Sequence, residues 1–228
     1  MNSFKYTFEL ESGAKKSFQV NLDPETLSLV LAPAEKPAWT KLSFCQCSCC
    51  PLPRGGEGHC PVAVNISSLV REFGDIISVT NAVVTVETDE RVVSKKTSIA
   101  EGLYSLLGLY MATSGCPILN KLKPMAANHL PFAAIEETVY RVVTMYCAAQ
   151  YFRMKNGKAP DWELARLTAM YEAIRCVNTD FSARLREAAK EDSLLNSLVN
   201  LDVFAMVMTE ADASAHSIEH MFRPFMAD

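Results

Sequence analysis

Five of the eight cysteines in this 228-residue chain fall between Cys45 and Cys60. The local sequence is Cys45-Gln46-Cys47-Ser48-Cys49-Cys50-Pro51, then a Gly-rich turn, then His59-Cys60-Pro61. Cys47 and Cys50 have the C-x-x-C spacing that lets two thiolates bind one tetrahedral ion, and Cys60 supplies a third sulfur. Cys49 is adjacent to Cys50 and is expected to point elsewhere. Cys116 is the expected fourth ligand. Like Cys50 and Cys60 it precedes proline, and both Cys60-Pro61 and Cys116-Pro117 read as helix starts. A thiolate beside a helix N-terminus is favoured by the dipole and the free N–H groups, which suits the deprotonated form a metal requires. His129 and Cys45 compete with Cys116 for the fourth position. The expected cofactor is therefore zinc, held by Cys47, Cys50, Cys60 and Cys116. Inert buried thiols, a Cys47/Cys50 redox dithiol and haem ligation by a Cys-Pro thiolate are the other readings of the same residues. Cys147 and Cys176 lie within apolar helical faces and read as core.

Other chemistry-bearing patterns are weaker. His216-Ser217-Ile218-Glu219-His220 matches H-x-x-E-H, an inverted zincin pattern, but only eight residues follow His220. A frayed, solvated terminal helix is the plainer reading. Glu136 and Glu137 could form a carboxylate pair, but the Glu-x-x-His motifs of a di-iron bundle are missing from the sequence. Glu137 and Arg141, four apart, read as an ion pair. Arg141, Tyr140, Tyr146 and Tyr151 lie in a Met-rich region (Met125, Met145, Met154, Met170) that reads as core, with a ligand or partner groove as the alternative. The sequence has no Gly-rich phosphate loop, no G-x-S-x-G and no dinucleotide fingerprint. No catalytic residue is assigned.

The elements that must position these residues divide the chain in two. Phe4, Tyr6, Phe8 and Leu10 alternate with polar residues, and Phe18, Val20 and Leu22 do the same after a turn at Ser12–Lys15, which predicts a hairpin. Leu27–Leu31 can add a third strand and Trp39–Phe44 a further one. Pro61 opens a predicted helix to Phe73 with Val62, Ile66, Leu69, Val70 and Phe73 on one face. Two strands follow, over 82–87 and 91–97. From Ser98 onward the spacing is helical, with stops at Ser114-Gly115 and Asn156-Gly157, an N-cap at Asp161 and a last helix from Leu194 through Met208. The expected fold is α+β, with an N-terminal antiparallel sheet carrying the Cys-rich loop (1–97) and a C-terminal helical bundle (98–228), as two parts or one continuous domain.

Composition narrows the function classes. Lys and Arg number 22 against 26 Asp and Glu, a net charge of −4, which argues against nucleic-acid binding. No uninterrupted apolar run in the sequence reaches the ~18 residues that a membrane span needs. The N-terminal alternation lacks a signal-peptide core, so the expected location is the cytoplasm. Clustered cysteines there point to metal or redox use rather than a disulfide framework.

Several strings together, Cys47-x-x-Cys50-Pro51-Leu52, Cys60-Pro61-Val62-Ala63, Ser114-Gly115-Cys116-Pro117 and His129-Leu130-Pro131-Phe132 among them, resemble a family of uncharacterised bacterial proteins, a domain of unknown function. The resemblance covers nearly the whole chain and implies no activity. The expected function is a structural zinc site with a binding or assembly role, toward a protein or small-molecule partner. The alternative is a metalloenzyme or thiol redox protein built on Cys47, Cys50 and Cys60.

Overall fold

The computed structural model describes residues 2–30, 36–54 and 57–226. Strands β1 (Asn2–Leu10), β2 (Lys15–Leu22), β3 (Asn81–Glu87) and β4 (Val92–Ser98) form one antiparallel sheet in the order β2-β1-β3-β4. Two hairpins are thus joined through their first strands. Tyr6 stands between Phe18 and Val86 in register, and Phe8 faces Val84. Period-2 alternation places Phe4, Tyr6, Phe8, Val20, Val84 and Val86 on one buried face. The other face carries groups such as Lys5 and Glu87, whose Nζ and Oε2 lie 2.7 Å apart, so the sheet is covered on one side only.

Helix α1 (Pro61–Phe73) supplies part of that cover. Cys60 is its N-cap and Pro61 its first residue, and the five predicted apolar residues are all buried. The Phe73 ring packs edge-on against Phe8 and stacks with Phe18, with centroids 4.9 and 5.5 Å apart. Helix α2 (Ile99–Ala112) starts where β4 ends, with the Ser98 hydroxyl accepting the Glu101 N–H at 3.3 Å. It is buried around most of its circumference, as a helix apolar on all sides must be. It crosses the sheet at Gly102, where a Cβ would lie 2.7 Å from Val84 Cγ2.

The remaining helices are α3 (Lys123–Ala127), α4 (Ile135–Lys155), α5 (Ala165–Ala188), α6 (Ser193–Val207) and α7 (Ala211–Ser217). Helix α6 packs on α2 and α5, and α4 packs on α3 and α7. Sheet side chains and bundle side chains belong to one continuous hydrophobic cluster. The fold class is α+β.

Several elements depart from the sequence pattern. Leu27–Leu31 gives only an isolated bridge between Leu22 and Leu29, and Leu31 itself lies outside the described residues. Trp39–Phe44 is a 3₁₀ turn (Ala38–Thr40) followed by a single bridge from Lys41 to His59. The Arg184 guanidinium occupies the carbonyls of Trp39, Lys41 and Leu42, as described below. Asp161 is not the N-cap of α5: the helix begins at Ala165 with Leu164 as its N-cap, and Asp161, three residues earlier, accepts the Arg166 N–H on Oδ2 at 2.8 Å. The stretch Ser193–Phe225 is, by length and composition, apolar enough to cross a membrane, contrary to the count of uninterrupted apolar residues. Ser, Asn and Thr interrupt the run, and Asp202 is the one charged residue between Ser193 and Thr209. In the fold this stretch is divided between α6, a 3₁₀ turn at Met208–Glu210, α7 and a 3₁₀ segment at Glu219–Phe225.

Candidate metal centre

The cysteine loop is closed at its base and docked on one helix. Leu42 N–H donates to Gly58 O at 2.8 Å and Cys60 N–H to Thr40 O at 2.8 Å, which ties the two ends of the loop together. Cys50 N–H donates to Cys47 O at 3.1 Å, so the C-x-x-C forms one tight turn. Three residues of α5 at helical spacing, Cys176, Asp180 and Arg184, hold the loop against the bundle. The Asp180 carboxylate accepts the Ser48 N–H and hydroxyl at 2.6 and 2.7 Å. Cys176 faces Cys49 at disulfide distance, with Cα atoms 6.4 Å apart.

Arg184 is the most unusual member of this face. It is 1% exposed. Its Nη1 donates to Trp39 O and Lys41 O at 2.6 and 2.7 Å, and its Nη2 to Leu42 O at 3.3 Å. The guanidinium lies between the rings of Phe44 and Phe181, 5.7 and 5.8 Å from their centroids. Among the described residues no carboxylate lies within 4.0 Å of it, and its Nε meets no acceptor.

The expected ligand sulfurs share this neighbourhood. Burial pushes the Cys47 thiol up to about 12, with the charges of Cys60, Asp180 and Cys50 acting in the same direction and Arg184 opposing. Burial likewise raises Cys60, against the Ala63 and Val62 N–H groups at the start of α1 and the charge of Arg184. Those N–H groups act on the sulfur electrostatically, since no cap hydrogen bond of full geometry forms. Burial also raises Cys116, opposed by the Leu119 and Ile118 N–H groups and reinforced by Cys60 and Cys50. Cys50 and Cys60 thus act electrostatically on both Cys47 and Cys116, which lie in the two halves of the fold. Among the described residues, no three of their sulfurs lie within 4.8 Å of one another. The group that does meet that distance is Cys49, Cys176 and Asp180, which could hold a metal ion.

A family model described as a domain of unknown function (DUF6901) matches residues 4–224. The chain belongs to this family. No curated protein and no solved structure matches it. The DUF6901 match runs from β1 past α7, so the cysteine loop, the sheet and the bundle fall inside one family unit.

Other expected site residues of this DUF6901 chain lie elsewhere. His129 is engaged with the Tyr6 hydroxyl through Nε2 and packs edge-on against Phe4, with centroids 5.3 Å apart. Cys45 is exposed. Helix α7 ends at Ser217, between His216 and His220, so the two do not share a helix face; both are exposed. His220 Nε2 instead lies 3.8 Å from Glu136. Glu137 does not pair with Arg141. Its carboxylate accepts the Ala134 N–H at 2.7 Å, and Arg141 Nη2 donates to Met125 O and Asn128 O. Cys147 packs against the core as expected, whereas Cys176 belongs to the loop-docking face. Asp180 and Arg184 were not singled out from the sequence. Their available signal was a thiol, an acid and a base spaced four apart on the apolar face of one helix.

Proposed function

We propose that Cys47, Cys50, Cys60 and Cys116 hold one zinc ion in a closed four-thiolate site, and that the protein's role is binding or assembly. The carrying observation is Arg184. A buried guanidinium with no carboxylate partner is costly unless negative charge lies near it, and it acts on both Cys47 and Cys60. Four thiolates on one divalent ion carry that net negative charge. Coordination would also reverse the upward shifts of the buried thiols, because a coordinating thiol is deprotonated outright. The helix-start N–H groups behind Cys60 and Cys116 act in the same direction. Such a site ties the loop to α1 and to the C-terminal end of α2, and so joins sheet and bundle.

A second reading places the ion at Cys49, Cys176 and Asp180, favoured by their mutual approach within 4.8 Å. Three protein ligands would leave an open position of the catalytic kind. The sulfur–sulfur pairing of Cys49 with Cys176 weighs against it, since a bonded pair offers no thiolates. Elemental analysis of untagged protein separates the two. About one zinc per chain is expected, lost in Cys60→Ser and Cys116→Ser and kept in Cys49→Ser and Cys176→Ser. Zinc lost in the latter pair and kept in the former would move the ion to the second site. Metal-free protein of unchanged stability would remove the structural role altogether.

A further inference from the structure

Inside the bundle, α2, α4, α5 and α6 surround a cavity of about 140 Å³. It lies apart from the cysteine loop: no cysteine lines it. Much of its wall is apolar, with Leu109, Leu122, Ile174 and Phe204 among the lining side chains. Apolar space of this size accommodates a benzene ring, as an engineered cavity of ~150 Å³ does.

The polar groups left free in it can all donate. Asn178 is 3% exposed, and its Nδ2 meets no acceptor. A buried amide donor without a partner destabilises a fold unless something else accepts from it. Tyr104 and Tyr171 line the same space, and among the described residues no hydrogen bond holds either hydroxyl. Arg141 completes the set. Its Nη2 is used on Met125 O and Asn128 O at 2.9 and 2.6 Å, which fixes the guanidinium and leaves its other donors. No Asp or Glu lines the cavity. Arg141 also borders two surface grooves, one beside Met145 and Phe152 and one beside Ser3 and Arg91, so it stands where the cavity meets solvent.

One cation and three neutral groups able to donate, around an apolar chamber whose lining carries no acid, describe a receptor for one negative charge on a compact apolar body; Glu137, outside the lining, acts on Arg141 only through its field. We propose that this cavity binds a small monocarboxylate, its oxygens accepting from Arg141, Asn178 and the tyrosine hydroxyls and its ring or short branched chain filling the apolar end. Isothermal titration of the purified full-length protein with benzoate and isovalerate, against benzamide and isovaleramide, tests this. At least one carboxylate should bind one-to-one, at least about tenfold tighter than its amide, and raise the melting temperature. Asn178→Leu has nearly the same shape and removes the buried amide donor that has no partner. It should melt no lower than the parent and bind the carboxylate at least about tenfold more weakly. Absence of saturable binding up to about 10 mM overturns the proposal, as does equal binding of acid and amide. Unchanged carboxylate affinity in a folded Asn178→Leu overturns it too. Should that variant not fold, Arg141→Gln and the acid-against-amide comparison on the parent protein still decide.

Discussion

At the scale of single residues, two buried basic groups solve opposite problems. Arg184 cannot lose its proton, so it surrounds itself with carbonyls and thiols. His129 can, and does. Burial, with the Arg141 charge adding to it, pushes its pKa from 6.5 down to about 3, and the neutral ring pairs with the Tyr6 hydroxyl. The folded value lies below the unfolded one, so on acidification the unfolded chain takes up this proton first. The contribution of His129 is therefore complete above about pH 6.5 and is lost progressively as pH falls toward about 3, with a slope of at most about 1.4 kcal/mol per pH unit. Urea unfolding at pH 7 and at pH 4.5 should show a smaller acid loss in His129→Phe than in the parent. An equal loss in both would mean that the ring is protonated in the fold.

At the scale of elements, two glycines of α2 make a controlled contrast. At Gly102 an added methyl meets Val84 Cγ2 at 2.7 Å and Phe8 Cε1 at 3.0 Å, both in the packed sheet core. Overpacking there costs about 1–3 kcal/mol, against a helix-propensity gain of about 1 kcal/mol, so Gly102→Ala should lose up to about 2 kcal/mol. At Gly108 the methyl meets only Leu201 Cδ2, at 3.2 Å, the end of a flexible side chain that borders the bundle cavity. Leu201 has room to yield, and Gly108→Ala should gain about 0.5–1 kcal/mol. Urea midpoints of the two variants check both signs. Destabilisation of similar size at both positions would mean that the cavity wall is rigid. Helix α2 is thus pinned to the sheet on one side and faces adjustable space on the other, which is where a ligand site belongs.

At the scale of the whole molecule, one hydrophobic cluster runs from the sheet through α2 into α5 and α6, and the loop is fastened to α5 by residues about 130 positions distant in sequence. Nothing in that arrangement lets the sheet melt while the bundle survives. Unfolding should be a single transition. Trp162→Phe leaves Trp39 as the one fluorescent reporter, sited where the loop meets Arg184. Its emission should change at the same urea concentration as the helical circular dichroism. Separate midpoints would make residues 1–97 and 98–228 independent domains. A metal chelator should shift both signals together to lower denaturant, because the proposed zinc site spans the two halves.

The elements themselves were legible from local pattern. Alternation set the inward residues of β1 to β3, Pro61 and Cys60 set the start of α1, and Gly157 (φ +71°) set the end of α4, because these depend on neighbours within a few positions. Sequence also marked Cys47, Cys50, Cys60 and Cys116 as a group, Cys47 and Cys50 through their C-x-x-C spacing and Cys50, Cys60 and Cys116 through the proline that follows each. Which thiols meet was decided by tertiary structure alone. Cys49 and Cys176 are 127 residues apart, and Arg184 reaches Trp39 across 145. No local pattern encodes such pairs. They arise when a loop that cannot complete a strand offers its free carbonyls and thiols to the one helix face carrying a thiol, an acid and a base at matching spacing. The cavity has the same origin: Tyr104, Tyr171 and Asn178 carry no signal in the sequence, and Arg141 reads there only as an ion-pair residue in a Met-rich region with a groove as the alternative, until three helices bring all four to one space.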